Sequence, residues 1–235
     1  KRRALRLHFT MEDNPVLTGK IRERYRRNYS GVFYRRFVLG EWVGAEGLIY
    51  DFFDAGRDAA GVPEGPWEAW RISADYGTVN PASFGLWGMQ GGVWYRVEEF
   101  YYDSKRAGRQ RTDAEYAGDL EQLAGGRDIQ RVIVDPSAAS FIETLRRRGF
   151  PVVKANNHVN DGIRVTADLL REGSIVICKT CQDCLREISQ YRWEPGRDTP
   201  RKRDDHAMDD MRYFAMDLAG DRGDGFSVLS VERAI

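Results

Sequence analysis

Apolar and polar positions alternate with period two over residues 70–76, 82–90 and 92–101, which predicts three consecutive strands in an antiparallel meander. The Gly-Gly pair in "GMQGGVWY" supplies the tight turn between the second and third. Beyond them the pattern changes. Thr112, with Glu115 three positions on, is a capping-box signature that opens a helix in "TDAEYAGDLEQLA". "IQRVIVD" then reads as a strand ending on Asp135. The pattern continues with a helix after Pro136-Ser137 that runs to about Arg148, a short strand "PVVKA", a helix near 161–171 and a strand "SIVIC". A helix from Thr180 to Tyr191 and a last helix over about 205–218 complete it.

Three antiparallel strands followed by alternating helices and parallel strands predict an α/β fold, a mixed sheet flanked by helices on both faces. Upstream, "KIRERYRRNYSGVFYRRFVL" (20–39) alternates bases with aromatics and reads as one or two short helices broken at Ser30-Gly31. An apolar patch and then a Gly/Pro-rich loop over 47–67 place a boundary near 60–68, giving a connector over 1–66 and a main domain over 67–235.

The 235 residues, 42% hydrophobic, suffice for one substantial core. Lys plus Arg and Asp plus Glu both total 36, so net charge says nothing about a nucleic-acid partner. Its distribution does: residues 1–42 hold eleven bases (Lys1, Arg2, Arg3, Arg6, Lys20, Arg22, Arg24, Arg26, Arg27, Arg35 and Arg36) against four acids, a basic arm on a neutral body. No apolar run is long enough to span a bilayer or to make a signal peptide, so a soluble, intracellular protein is expected. The start without Met, inside what reads as a connected segment, suggests a piece of a longer chain. Cys178, Cys181 and Cys184 form C-x-x-C-x-x-C, an odd set that argues for a reducing compartment. Zinc would need a fourth ligand such as His158, and small apolar fillers on a helix face are the competing reading.

A strand that turns Ile72 and Ala74 to a core buries Asp75 or leaves it at a sheet edge, and a buried carboxylate is costly without a cation. In open α/β sheets ligands bind at the carboxyl ends of strands, where Asp135 sits, with Asp75 near the end of the first strand. Two such carboxylates repel each other, and a divalent cation relieves the repulsion. On the last helix Ala207, Met211, Phe214, Ala215 and Leu218 make an apolar stripe, with His206, Asp209, Asp210 and Tyr213 on other faces. Periodicity does not choose among Asp205, Asp209 and Asp210, and a solvated acidic face fits it equally well.

Asp75 after the first strand, "VIVDPSAASFI" with Asp135, and the D-H-x-x-D-x-x-R-Y of Asp205, His206, Asp209, Arg212 and Tyr213 together resemble the nuclease domain of the large terminase subunit of tailed double-stranded DNA bacteriophages or a related prophage. "MEDNPVLTGKIRERYRRNYSGVFYRRFVLGEWVGAEGLIYDFFD" is similar to the segment that follows the packaging ATPase in that family, so the resemblance spans about 10–218. It implies a ribonuclease H-like fold and a metal-dependent endonuclease that cuts double-stranded viral DNA during genome packaging. It implies two Mg2+ or Mn2+ ions about 4 Å apart. Asp75 would bridge them, Asp135 would hold one, and Asp209, which H-x-x-D selects, the other. His206 would stand behind the ligands or shuttle a proton, Asp205 would cap the helix, and Asp210 would border the apolar stripe. The implied partners are double-stranded DNA, portal protein, small terminase subunit and an ATPase domain of the same polypeptide, in the cytoplasm of the host bacterium. Gly19-Lys20 is no P-loop, with Asn14 where the first Gly belongs and Ile21 after the Lys, so the ATPase is expected outside these residues.

Weaker signals remain. Lys154, Asn156 and Asn157 offer themselves to a phosphate, although Asn-rich turns also arise for capping. Arg197, Arg201, Lys202 and Arg203 lie in a basic loop or hairpin that meets DNA backbone or is simply solvated. Trp67, Trp70, Trp87 and Trp94 are expected to pack rather than to stack on bases. Two other readings compete: a junction resolvase or transposase-like nuclease of the same fold, and a non-catalytic module docking DNA or portal through the basic arm.

Overall fold

The expected meander forms from β1 (Ala69–Asp75), β2 (Ala82–Gln90) and β3 (Val93–Tyr102), with β2 antiparallel to both neighbours. Gly91 and Gly92 make the turn with φ of 60° and 78°, left-handed values that favour glycine. β4 (Ile129–Val134) lies parallel to β1, β5 (Val152–Lys154) parallel to β4, and β6 (Ile175–Ile177) parallel to β3, giving the order β5-β4-β1-β2-β3-β6. The computed structural model describes residues 9–29, 31–41 and 43–221, without the side chains of residues 24, 27, 28 and 37. Lys1, Arg2, Arg3, Arg6 and Ser30 therefore lie outside the described residues, as do the side chains of Arg24 and Arg27.

The longer helices are α1 (Gly19–Asn28), α2 (Asp113–Ala124), α3 (Ala139–Arg147), α4 (Val159–Arg171), α5 (Gln182–Ile188) and α6 (His206–Asp221). Thr112 and Glu115 close the capping box before α2. α5 is shorter than expected and α6 longer. α2 and α3 cover one face, where Tyr116, Leu120, Phe141 and Leu145 pack with Ile72, Ala74, Phe84 and Val134. α4, α5 and α6 cover the other, where Ile163, Met211 and Phe214 pack with Trp87, Trp94 and Ile133. Trp87 stacks on Phe214 at 4.0 Å between ring centroids. Trp87 and Trp94 are thus core residues, and Trp67 and Trp70 pair at 5.0 Å. All three cysteines are buried free thiols.

The segment over 1–66 is not all peripheral. Ala45, Ile49 and Tyr50 share the core of α4 to α6 with Tyr191 and Trp193, and Ile49 N donates to Tyr191 O at 2.8 Å. Farther out, Arg22 and Arg26 are ion-paired to Glu12. Among the described residues, no helix is long and apolar enough to cross a membrane.

The single apolar stripe expected for the last helix needs correction. Residues 207–215 of α6 are all buried, because the sheet, α4 and α5 surround it. Asp210, which periodicity left at the edge of the stripe as a candidate ligand, is fully buried and faces the middle of the sheet. Arg96 of β3 holds it with two nitrogens, Nη2 at 3.0 Å from Oδ2, and Ser73 Oγ donates to Oδ1 at 2.9 Å. Ser83 donates to Oδ2 as well, so the carboxylate has no capacity left for a cation. Gly85 makes room for this pair, since a Cβ there would lie 2.6 Å from Arg96 Cζ. Removing one member of a buried ion pair leaves the other uncompensated and costs about 3–5 kcal/mol. Asp210→Ala should lose that much in urea unfolding, whereas a loss under about 1 kcal/mol, the scale of an exposed pair, would contradict a structural role.

Candidate active site

β1 is buried on both faces, so its odd-numbered residues meet α6 instead of solvent. Arg71 donates to Asp217 and Asp221 at 2.9 and 2.7 Å, Ser73 to Asp210, and Asp75 meets the first turn of α6. The helix is thereby laid antiparallel to the strand, and its N-terminus comes to the strand end that carries Asp75.

Asp75 Oδ2 lies 2.9 Å from His206 Nδ1. Asp135, just past β4, receives the Ser137 amide at 2.7 Å. Tyr213, one α6 turn beyond Asp209, joins the two strand ends: its hydroxyl donates to Asp135 Oδ2 at 2.7 Å and lies 3.4 Å from Asp75 Oδ1. Asp209 is held from two sides, by Arg212 Nη2 on Oδ1 at 2.8 Å and by Lys202 Nζ at 3.5 Å from Oδ2. A cavity of about 670 Å³ opens here between the turn after β1, Lys105 and residues 202–206; Asp75, Asp205, His206 and Asp209 line it.

Burial pushes the Asp75 carboxyl up to about 6, with Asp209 and Asp210 adding repulsion and His206 opposing the shift. Burial works against a charged His206, but the Asp75 contact outweighs it and raises the imidazole. At Asp135 burial is outweighed by Ser137, Tyr213 and Arg212, which hold the carboxyl below its usual range. Burial raises Tyr213, so its hydroxyl stays protonated and donates.

The expected helix cap is different. The Asp205 carbonyl accepts the Asp209 amide at 2.8 Å, but its carboxylate takes no amide of the first turn; it lies 3.6 Å from Lys202 Nζ, and Oδ2 is buried without a hydrogen-bond partner. The amide of Ala207 donates instead to Glu187 Oε2 at 2.7 Å, so α5 caps α6 across space. Tyr101 OH donates to Glu187 Oε1 at 2.6 Å. Glu99 of β3 in turn accepts the Asp183 amide at 2.6 Å, capping α5.

The carboxylates of Asp205 and Asp209 share the Lys202 ammonium at 3.6 and 3.5 Å, and Asp205 Oδ2 has no hydrogen-bond partner, so these oxygens already face a positive charge and their chemistry fits a hard divalent cation. Among the described residues no three His, Cys, Asp or Glu side chains close on one point as an ion's ligands, the cysteine cluster included. Each acid already has an internal partner: Tyr213 stands between Asp75 and Asp135, while Arg212 and Lys202 occupy Asp209.

Of the DNA-backbone candidates, Lys202 belongs to the cavity. Arg201 and Arg203 sit 3.9 and 3.3 Å from Glu194 and Asp204, and the exposed Arg197 lies in the same loop. Lys154, exposed, pairs in register with Val134 and so ends its strand beside Asp135; Asn156 accepts the His158 amide. The sequence attached no role to Tyr213, Arg212, Glu187 or Arg96. Tyr213 and Arg212 stood in the terminal motif, whereas Glu187 was marked only by an acid between Leu185 and Ile188.

Burial lifts the Glu187 carboxyl to about 7 from an ordinary 4.5. A raised acid binds its proton in the folded state first, so the stability it contributes is complete below pH 4.5 and lost as pH rises through 7. Thermal midpoint should therefore fall between pH 5 and 8. Glu187→Gln keeps an acceptor for Ala207 and should remove up to about 3 kcal/mol of that decline; an unaltered slope in the variant would place the titration elsewhere.

No family model matches the sequence. The large terminase of a thermophilic bacteriophage, in complex with ADP, is 46% identical, superimposes with a TM-score of 0.84, and matches 89% of this chain and 54% of its own. The terminase large subunit of Escherichia phage T5 is 23% identical over 223 residues, 88% of this chain and 50% of the phage protein. The large terminase nuclease from thermophilic phage G20c with bound cobalt is 13% identical, with a TM-score of 0.52 over 72% of this chain and 96% of its own, a likeness of fold. The chain spans about half the length of the two larger relatives.

Proposed function

We propose that this chain, which is related to the large terminase subunits and has the ribonuclease H-like fold of their nuclease domain, is a divalent-metal-dependent endonuclease that cuts double-stranded DNA during phage genome packaging. One observation carries the reading: carboxylates from two adjacent strand ends, Asp75 and Asp135, meet one tyrosine hydroxyl of α6 beside a cavity that also holds His206 and Asp209. Identity of 46% to a large terminase favours this over a junction resolvase or transposase-like enzyme. A docking module has no use for buried acids at a cavity.

Asp75, Asp135 and Asp209 are the ligands we assign, with Mg2+ or Mn2+ as the hard cations their oxygens suit. The cobalt held by the G20c nuclease supports a divalent ion. Two such ions, when bound, supply an activated water and stabilise the departing 3′ oxygen. For Asp209 to turn Oδ2 to a cation, Lys202 must swing off it, while Asp75 and Asp135, each accepting two hydrogen bonds, keep carboxylate lone pairs free. Lys202 is well suited, being two-thirds exposed, and once displaced it can meet a phosphate. His206, its Nδ1 tied to Asp75, is placed at the cavity to accept or return a proton. In the whole motor the partners are portal, small terminase subunit and the ATPase domain, in the host cytoplasm.

Purified protein should nick plasmid DNA with Mg2+ or Mn2+ and stop in chelator; full-rate cutting in chelator defeats the metal reading. Asp75→Asn and Asp209→Ala should each lose more than the roughly 10- to 100-fold typical of an outer-shell partner while melting as folded protein. If Asp205→Ala proves inactive while Asp209→Ala still cuts, the third ligand is misassigned.

A further inference from the structure

Arg212 is 2% exposed, yet among the described residues one of its nitrogens has a hydrogen-bond partner. Nη2 donates to Asp209 Oδ1 at 2.8 Å, while Nε and Nη1 are buried with no hydrogen-bond acceptor among the described residues. A buried donor left unmade is costly, so hydrogen bonding alone does not explain where this guanidinium sits. Packing does. The stem of Arg212 crosses α4 at Gly162, where a Cβ would collide with Cγ and lie 2.5 Å from Cδ. Its Cζ lies 4.9 Å from the centroid of the Tyr213 ring. A glycine inside a helix weakens it relative to alanine, so this clearance is kept against local propensity.

The consequence falls on Asp209. With Oδ1 taken by Arg212, the carboxylate turns Oδ2 toward Lys202 at the cavity. We propose that Arg212, seated by Gly162, is a positioning residue that makes Asp209 a one-oxygen ligand; this rests on the reading of Asp209 as a metal ligand. Arg212, buried and not among the residues lining the cavity, acts through Asp209. Its unsatisfied nitrogens are the cost of aiming one carboxylate.

The test is Mn2+ binding, followed by the paramagnetic resonance of free Mn2+, in wild type, Gly162→Ala, Arg212→Ala and the double variant, with circular dichroism to establish folding. Gly162→Ala and Arg212→Ala should each weaken Mn2+ binding about tenfold or more, the scale of a lost outer-shell partner. The double variant should be no weaker than Arg212→Ala, because the stem that the new methyl displaces is gone. Arg212→Lys, which keeps the stem and charge but not the fork, replaces Arg212→Ala if truncation prevents folding, and should also bind more weakly. Folded variants that bind Mn2+ like wild type overturn the proposal, even if their melting points shift. So does an additive loss in the double variant. Wild type that binds no Mn2+ overturns the metal reading and this role with it, and that control separates the two failures.

Discussion

The buried pair of Arg96 and Asp210 governs where everything else at the site can be. It lies under the middle of the sheet, and its carboxylate collects donors from β1, β2 and β3 at once. A helix pinned there cannot slide or rotate without stranding a charge in a medium that solvates it poorly. Because Asp210 is pinned, its neighbour Asp209 is turned to the other side, toward the cavity end of the sheet, and His206 one turn earlier is brought over Asp75. An acid buried in a structural pair thus sets the register of the acids at the cavity.

Around that pin, the helix termini are satisfied by acids from other elements. Glu99 on β3 takes amides at the start of α5, and Glu187 on α5 takes the Ala207 amide at the start of α6. The two caps form a relay from an edge of the meander to the cavity, and each is a long-range contact. Local capping would have left α6 free to begin wherever an Asp stood nearby; capping from α5 ties its start to the packing of the whole face. The cost is a buried carboxylate at Glu187, lifted to about 7.

The acids at the cavity are mutually repulsive, and the protein answers with internal cations and donors: His206 on Asp75, Tyr213 between Asp75 and Asp135, Arg212 and Lys202 on Asp209. These partners differ in burial. Arg212 is enclosed and Lys202 mostly exposed, so one fixes the carboxylate while the other can leave it. The site thereby stays folded with its charge compensated, while one carboxylate oxygen of Asp209 faces the cavity and its exposed partner Lys202.

Much of this was legible along the chain. Period-two alternation marks β1 to β3, Gly91-Gly92 their hairpin, and the Thr112 capping box the start of α2, because each depends on neighbours a few residues apart. Asp75 and Asp135 stood out for the same reason, as acids at the ends of apolar runs. The terminal helix was misread where local rules had no purchase: its apolar stripe vanished into all-round burial, Asp205 lost its cap to Glu187, and Asp210 went to Arg96. Those outcomes are decided by residues 20 to more than 100 positions away, which no local pattern encodes. Sequence determined which segments become strands and helices and which acids sit at their ends; tertiary structure decided which acid is buried in a pair, which faces the cavity and what holds it there, because desolvation and ion pairing depend on neighbours that only folding brings together.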